Sequence, residues 1–363
     1  MSLKKYSIIL IIITITNSLD INTKPIIGIY SNEYPSNDSI SYNKTQVGIP
    51  YIRWLESSGA NVLIIQQWYS DNEIDNILNN INGVLLLGDG KNTLNQTWGQ
   101  KLIYLINSSL KKNIPIWATC SSFEIIHIFI SGKNVLEFGF DDTNVIHSFN
   151  NISNNSKMFS LFNQSLLNLF NEFLGYYNHK FSINKTRFNN EKKLTDFFKI
   201  TSLSKDMKSK QFINSVEGIN KNIYATQFHP EKVPFQRKEY NVEYEKNSIR
   251  VSTLLGIFFV EECRKNKNKL DPKDKDKYYF IDSYGNNNQN FSIDSKKEII
   301  IFTHNYTNKK STNNKPNKNI YISLIIILII IVSIVGIYLF MKNKKIQNDI
   351  LDENEISEYQ FSK

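Results

Sequence analysis

The first third of this chain alternates short apolar runs with helical segments, and few folds accept that pattern. The apolar runs are 25–30, 62–65, 83–87 and 114–117. Between them, 49–58 reads as a helix closed by Gly59, 70–79 opens with a Ser70-x-x-Glu73 capping box, and 98–112 is amphipathic. Strands covered on both faces are apolar throughout, and parallel strands need long crossovers, usually helical. The expected class is therefore α/β, a mostly parallel central sheet with helices on both faces. Sites in such sheets form beyond the carboxyl ends of the strands.

The second half is less regular. A helix is expected at 159–174 and another at 248–263. A strand pair is expected at 212–217 and 221–225 around Gly218, with late strands at 278–282 and 298–302. No internal repeat is visible, and 24–305 fits one large domain.

Chemistry gathers at two predicted strand ends. Residues 114–124, Ile-Pro-Ile-Trp-Ala-Thr-Cys-Ser-Ser-Phe-Glu, form a strand, a tight turn carrying Cys120, and the start of an apolar helix over 123–130. The positive helix end favours a thiolate. Residues 224–231, Tyr-Ala-Thr-Gln-Phe-His-Pro-Glu, bring His229 and Glu231 off another strand. Thiol, imidazole and carboxylate are the parts of a nucleophile, its base and the group that orients the base. The competing readings are a buried structural Cys120, a Cys120–Cys263 disulfide and a plain turn at His229-Pro230-Glu231. His127 lies in the apolar face of its helix and reads as a packed histidine, while His147 and His304 have no motif around them. Two cysteines cannot build a four-cysteine metal site, and no cluster has metal-ligand spacing. Gly88-x-Gly90 lacks the third glycine of a dinucleotide fingerprint. No cofactor is expected.

Both ends read as membrane signals. Lys4 and Lys5 precede an uncharged, mostly apolar stretch, 6–15, which fits a signal peptide over 1–19. Residues 320–341 carry no charge and are long enough as a helix to cross a bilayer; Lys342, Lys344 and Lys345 follow. The expectation is a single-pass type I protein with an endolysosomal or extracellular domain, a polar stalk at 306–319, a transmembrane helix at 320–341 and a cytoplasmic tail at 342–363. Ten glycosylation sequons, from Asn37 to Asn305, lie on the exported side. The net charge is +9, but its lysines are scattered among asparagines, which argues against nucleic acid.

The landmarks Lys24-Pro-Ile-Ile-Gly-Ile, Trp54-Leu-Glu-Ser-Ser-Gly-Ala-Asn-Val, Ile81-Asn-Gly-Val-Leu, Trp117-Ala-Thr-Cys-Ser-Ser-Phe-Glu124, Asn178-His-Lys-Phe-Ser, Val216-Glu-Gly and Gln227-Phe-His-Pro-Glu-Lys232 stand in this order. In these the chain resembles the gamma-glutamyl hydrolases of the class I glutamine-amidotransferase-like group. The resemblance covers about 24–305. It implies hydrolysis of folylpoly-γ-glutamates through a cysteine acyl-enzyme, in lysosomes or outside the cell. It implies Cys120 as nucleophile, His229 as base and then acid, Glu231 as the carboxylate behind His229, and His179 near the substrate. It sets the Gly88-Asp89 turn over the oxyanion, with Ser121 as a further oxyanion or substrate contact. A homodimer is compatible with it. The chain departs from the family where Ala118 and Ser122 replace glycines around the cysteine, and where Asp89 replaces a glycine after the third strand. Those departures support an alternative, a catalytically impaired, membrane-anchored protein that binds glutamate-rich ligands.

Overall fold

The apolar runs of the first third become neighbouring strands of one sheet. A computed structural model describes residues 22–34, 44–88, 97–149, 152–153, 155–164, 167, 174–235, 246–277, 279–280 and 291–304. They belong to the first of two units, Met1–His304 and Asn305–Lys363. The expected signal peptide, Asp89, the stalk, the apolar run 320–341 and the tail lie outside the described residues. Among the described residues no helix is long and apolar enough to cross a membrane.

In chain order the first elements are β1 (Ile26–Tyr30), β2 (Asn32–Glu33), β3 (Lys44–Gly48), α1 (Ile49–Ser57), β4 (Asn61–Ile65), α2 (Asp71–Leu78), β5 (Gly83–Leu86), α3 (Thr97–Lys111), β6 (Ile116–Thr119) and α4 (Ser121–Ser131). Then follow β7 (Glu137–Ser148), β8 (Leu174–Ser182), α5 (Lys185–Asn189), α6 (Lys192–Phe197), β9 (Phe198–Lys205), β10 (Gln211–Gly218) and β11 (Ile223–Thr226). The last are α7 (Lys232–Phe235), α8 (Lys246–Arg264), a 3-10 turn (Pro272–Lys277), β12 (Tyr279–Phe280), β13 (Phe291–Asp294) and β14 (Ile299–Thr303).

Local chemistry sets several boundaries. Pro50 sits in the first turn of α1, where its missing N–H leaves nothing unpaired. That helix stops at Gly59, which takes φ +93°, a left-handed angle glycine adopts without strain. The expected capping box starts α2: Ser70 N–H donates to the Glu73 carboxylate at 2.7 Å, and Glu73 N–H donates to Ser70 Oγ at 3.3 Å.

The main sheet has the order β12-β4-β1-β5-β6-β11-β10-β9. The run β4-β1-β5-β6-β11 is parallel, while β12 on β4 and β10 on β11 are antiparallel. A second sheet, β13-β14-β3-β2, and a hairpin, β7-β8, stand apart. Side chains alternate between two cores. Ile27, Ile29, Leu85, Trp117 and Tyr224 pack with Trp54 of α1 and Leu255 and Phe259 of α8. Leu63, Val84, Leu86, Ala118 and Ala225 pack with Ile77 of α2, Leu105 of α3 and Phe123 of α4. A slip of one residue would exchange the two sets, so burial on both faces fixes the register.

Two expectations shift. The strand expected at 114–117 lies at Ile116–Thr119, two residues later. Pro115 has no N–H to give a ladder, and Ile114 N–H turns back to the Ser109 carbonyl at 2.9 Å. The strand therefore runs up to the residue before Cys120. Of the helix expected at 159–174, residues up to 161 form a turn, Gln164 and Leu167 are helical, Leu174 opens β8, and 165–166 and 168–173 lie outside the described residues. Just before this stretch, the buried Glu217 carboxylate accepts from Ser156 Oγ, Lys157 N–H and Met158 N–H and holds 156–158 outside a helix. Cys120 and Cys263 are both buried and not bonded to each other, which removes the disulfide alternative.

Candidate active site

The elbow is built by β6 feeding directly into α4. Cys120 takes φ 51° and ψ −110°, a conformation L-residues rarely adopt, with a typical cost of about 1–3 kcal/mol. It persists because its backbone is tied on both sides. Cys120 N–H donates to the Thr226 carbonyl at 2.8 Å, and the Cys120 carbonyl accepts from Glu124 N–H at 3.0 Å. A sharp strand-to-helix turn of this kind lifts a nucleophile above the sheet. The residue is only 5% exposed, and Sγ lies 3.9 Å from the Asn178 carbonyl, so the β7–β8 hairpin walls one side of the thiol.

The two residues that replace family glycines fit here for different reasons. Ala118 is buried, with Leu86 and Ala225 as its register partners, and its single methyl lets α4 lie close. Ser122 uses its hydroxyl, which donates to the Leu87 carbonyl. The elbow is thereby pinned to the end of β5 by a bond glycine could not make.

His229 follows β11 by three residues. Its N–H donates to the Tyr176 carbonyl at 3.0 Å, which fastens it to β8. The imidazole is fully buried; Nδ1 lies 2.7 Å from Glu231 Oε1 and 3.2 Å from Tyr51 Oη. Glu231 is fully buried as well. A buried carboxylate against Nδ1 holds the proton on that nitrogen and leaves Nε2 as the basic position. Nε2 makes no hydrogen bond among the described residues.

Gly88 brings the two halves together. A Cβ at this position would stand 2.7 Å from His229 Cε1, 3.0 Å from Cys120 Cβ and 3.0 Å from Tyr51 Oη. The backbone of Gly88 thus fills the angle between thiol and imidazole, and space, not backbone angle, demands glycine. Its N–H donates to Tyr51 Oη at 3.0 Å, and its carbonyl accepts from Asn32 Nδ2 at 2.7 Å. The amide of Gly88 is engaged by Tyr51, so it is not open to a substrate oxygen. Asp89 lies outside the described residues. Ser121 is the first residue of α4, next in the chain to Cys120 and at the positive end of the helix.

His179 neighbours Asn178 on β8 but turns into the hairpin. Its Nδ1 lies 2.9 Å from the Phe181 carbonyl, Nε2 lies 3.2 Å from Asp142 Oδ2, and its ring meets Phe212 edge-on at 5.0 Å. The structure brings Cys120, His229, Glu231 and Gly88 together, with Ser121 alongside, and sets His179 behind the Asn178 wall.

Residues not singled out in the sequence complete the site. Tyr51 and Asn32 clamp Gly88. Gln227 donates to Glu124 Oε1 at 3.1 Å and accepts from Ser182 Oγ at 3.0 Å, joining α4, the end of β11 and β8. Burial pushes the Glu124 carboxyl up to about 8, against the opposing Gln227 hydrogen bond, although the residue as a whole is only half-buried. The available signal was position: Asn32 lies just past β1, and Gln227 just past β11, both carboxyl ends of parallel strands.

With this geometry in hand, the comparisons with known proteins are direct. Residues 42–246 match the glutamine amidotransferase class-I family. Gamma-glutamyl hydrolase of Rattus norvegicus is 31% identical over 280 residues, covering 74% of this chain and 88% of that protein. Gamma-glutamyl hydrolase of Homo sapiens is 28% identical over 296 residues, covering 78% and 91%. Gamma-glutamyl hydrolase B of Dictyostelium discoideum is 29% identical over 344 residues, covering 90% and 98%. The family match takes in more than half of the chain and spans Cys120, His229 and Glu231, so the chain belongs to the glutamine amidotransferase class-I family and is a hydrolase of its gamma-glutamyl hydrolase branch.

Proposed function

We propose that this protein hydrolyses γ-glutamyl bonds, with folylpoly-γ-glutamates as substrates, through an acyl-enzyme on Cys120. The observation that carries the reading is the pair of opposed groups about Gly88. On one side is a strained thiol; on the other is a buried imidazole whose Nδ1 faces Glu231 and whose Nε2 makes no hydrogen bond among the described residues.

The Cys120 proton passes to His229 Nε2, and the thiolate attacks the γ-carbonyl carbon. The oxyanion that forms meets main-chain amides at the positive start of α4. His229, now imidazolium, returns its proton to the departing α-amino nitrogen as the C–N bond breaks and a thioester remains. Water then gives a proton to Nε2 and attacks the thioester. The acid leaves, and the thiol recovers its proton. Glu231 keeps the same imidazole edge facing the reaction in both halves.

The reading extends to place. The signal-like 1–19 and the apolar 320–341 support an exported, membrane-anchored enzyme of type I orientation. Resistance of the full-length chain to alkaline carbonate extraction tests the anchor; release into the supernatant would refute it.

The test of activity is incubation of the full-length protein with a pteroylpentaglutamate, with products resolved by chain length. Shortened pteroylglutamates are expected from the wild type and none from Cys120→Ala at unchanged circular dichroism. Equal hydrolysis by the variant would refute the cysteine mechanism.

A further inference from the structure

The side chain that touches both halves of the site is neither the nucleophile nor the base. Tyr51 Oη lies 3.2 Å from His229 Nδ1 and accepts the Gly88 N–H at 3.0 Å. Tyr51 is 2% exposed and stands in the first turn of α1, which Pro50 opens and whose next turn packs Trp54 into the core. Its phenol oxygen therefore has a fixed place. Gly88 is fixed from the opposite side by Asn32, and Leu87 by Ser122.

We propose that Tyr51 is a positioning residue that offers His229 Nδ1–H a second acceptor beside Glu231 and so ties the charge of the base to the turn at Gly88. This rests on the reading of His229 as the base. With the proton on Nδ1 and Glu231 Oε1 at 2.7 Å, the phenol oxygen at 3.2 Å is the longer branch of a forked hydrogen bond. When Nε2 takes the thiol proton, the ring becomes a cation and both branches strengthen, because hydrogen bonds to ionised groups are stronger than neutral ones. The same oxygen holds the Gly88 amide, so the turn beside the oxyanion is held in place by the group that stabilises the imidazolium. Neither Glu231 nor Asn32 makes both contacts. The titratable groups packed against His229 are Glu231, Tyr51, Tyr176 and, across Gly88, Cys120.

The geometry separates Tyr51 from a residue that only fills space. Removing the phenol oxygen should destabilise the imidazolium, so that less of the Cys120 proton resides on Nε2. The thiolate then forms at higher pH. The loss of one hydrogen bond to a charged ring corresponds to a rise of about 0.5–1 pH unit in the thiolate midpoint. Asn32→Ala loosens the other side of Gly88 and leaves the Tyr51–His229 contact whole, so its midpoint should stay put while turnover falls.

The experiment measures the rate of Cys120 alkylation by iodoacetamide against pH, followed by mass spectrometry of the Cys120 peptide. It uses full-length wild type, Tyr51→Phe, Asn32→Ala and a protein with 4-fluorophenylalanine at position 51. The fluorinated ring keeps the shape and weakens the acceptor, so it serves even where Phe disturbs folding. The expected result is an upward midpoint shift for Tyr51→Phe, a smaller one for the fluorinated residue, none for Asn32→Ala, and kcat for Tyr51→Phe down roughly tenfold with KM little changed. Unshifted midpoints in both Tyr51 variants, or equal shifts in Tyr51→Phe and Asn32→Ala, would overturn the proposal. Because alkylation needs no substrate, an enzyme that leaves pteroylpentaglutamate intact counts against the function proposed above and not against Tyr51.

Discussion

Among the described residues two histidines are fully buried, and their surroundings differ. His229 and His127 each have Nδ1 2.7 Å from an oxygen, and each has an Nε2 that makes no hydrogen bond among the described residues. They differ in what those oxygens are and in what Nε2 meets. The partner of His229 is the Glu231 carboxylate, and its ring edge abuts Gly88 with Cys120 just beyond. The partner of His127 is the Phe123 carbonyl one turn back in the same helix. Its ring is walled by Phe123 at 4.3 Å, Phe198 at 5.3 Å and Phe188 at 6.0 Å. Burial pushes His127 down to about 4 despite that carbonyl, so it stays neutral in the folded protein across the physiological range. Burial alone thus makes a spacer of an imidazole; burial plus a carboxylate and a neighbouring thiol is the arrangement on which the proposed catalysis rests.

The sharpest way to break the comparison is to take the carboxylate away. Glu231→Gln should lower kcat by roughly 10²–10⁴-fold, since the amide no longer holds the tautomer or offsets the cation. Steady-state hydrolysis of pteroylpentaglutamate at unchanged Tm reads this, and a loss under threefold would make Glu231 a packing residue like any in the His127 cage. Gly88→Ala tests the gap that His229 has and His127 lacks. The new methyl meets His229, Cys120 and Tyr51 at 3.0 Å or less, so kcat should fall at least tenfold, with stability lowered by about 1–3 kcal/mol.

His127→Leu should leave hydrolysis at pH 7 within about twofold and change only stability. A group whose folded value is depressed from 6.5 to about 4 contributes stability that is whole above pH 6.5 and lost as pH falls toward 4. Urea midpoints of the wild type should therefore fall through that window relative to those of the variant; parallel curves would show that His127 is not held neutral. Glu124→Gln carries the smallest expected effect and the opposite sign. Its raised value, about 8 against 4.5, means a contribution present below pH 4.5 and lost as pH rises toward 8. The variant should gain about 1–2 kcal/mol at pH 7, discounted for partial exposure, and nothing near pH 4.5.

The parallel core and the Cys120, His229 and Glu231 constellation were legible because their signals are local. Buried parallel strands are apolar in runs, an elbow is a strand and a helix with no spacer, and His229 and Glu231 are two residues apart. The clamp around Gly88 was not legible. Asn32 reaches it across 56 positions, and Tyr51 reaches His229 across 178, so neither contact leaves a pattern along the chain. The β7–β8 hairpin was missed for another reason. Asp142 and His179 are buried within it, Gly139 and Asn144 take positive φ, and the register shifts twice, so the apolar alternation that reveals a strand is broken. Polar pairs inside a sheet erase the very period by which strands are read.

One hydrogen bond, from Cys120 N–H to the Thr226 carbonyl, sets how this enzyme fails when heated. It closes the ladder between β6 and β11, the two strands whose ends deliver thiol and imidazole. The proposed reacting pair is therefore held by this ladder together with the His229 N–H bond to the Tyr176 carbonyl of β8, and not by a surface loop free to melt early. Heat inactivation should follow the loss of the whole sheet, with no stage at which the protein is folded but its catalytic pair has drifted apart.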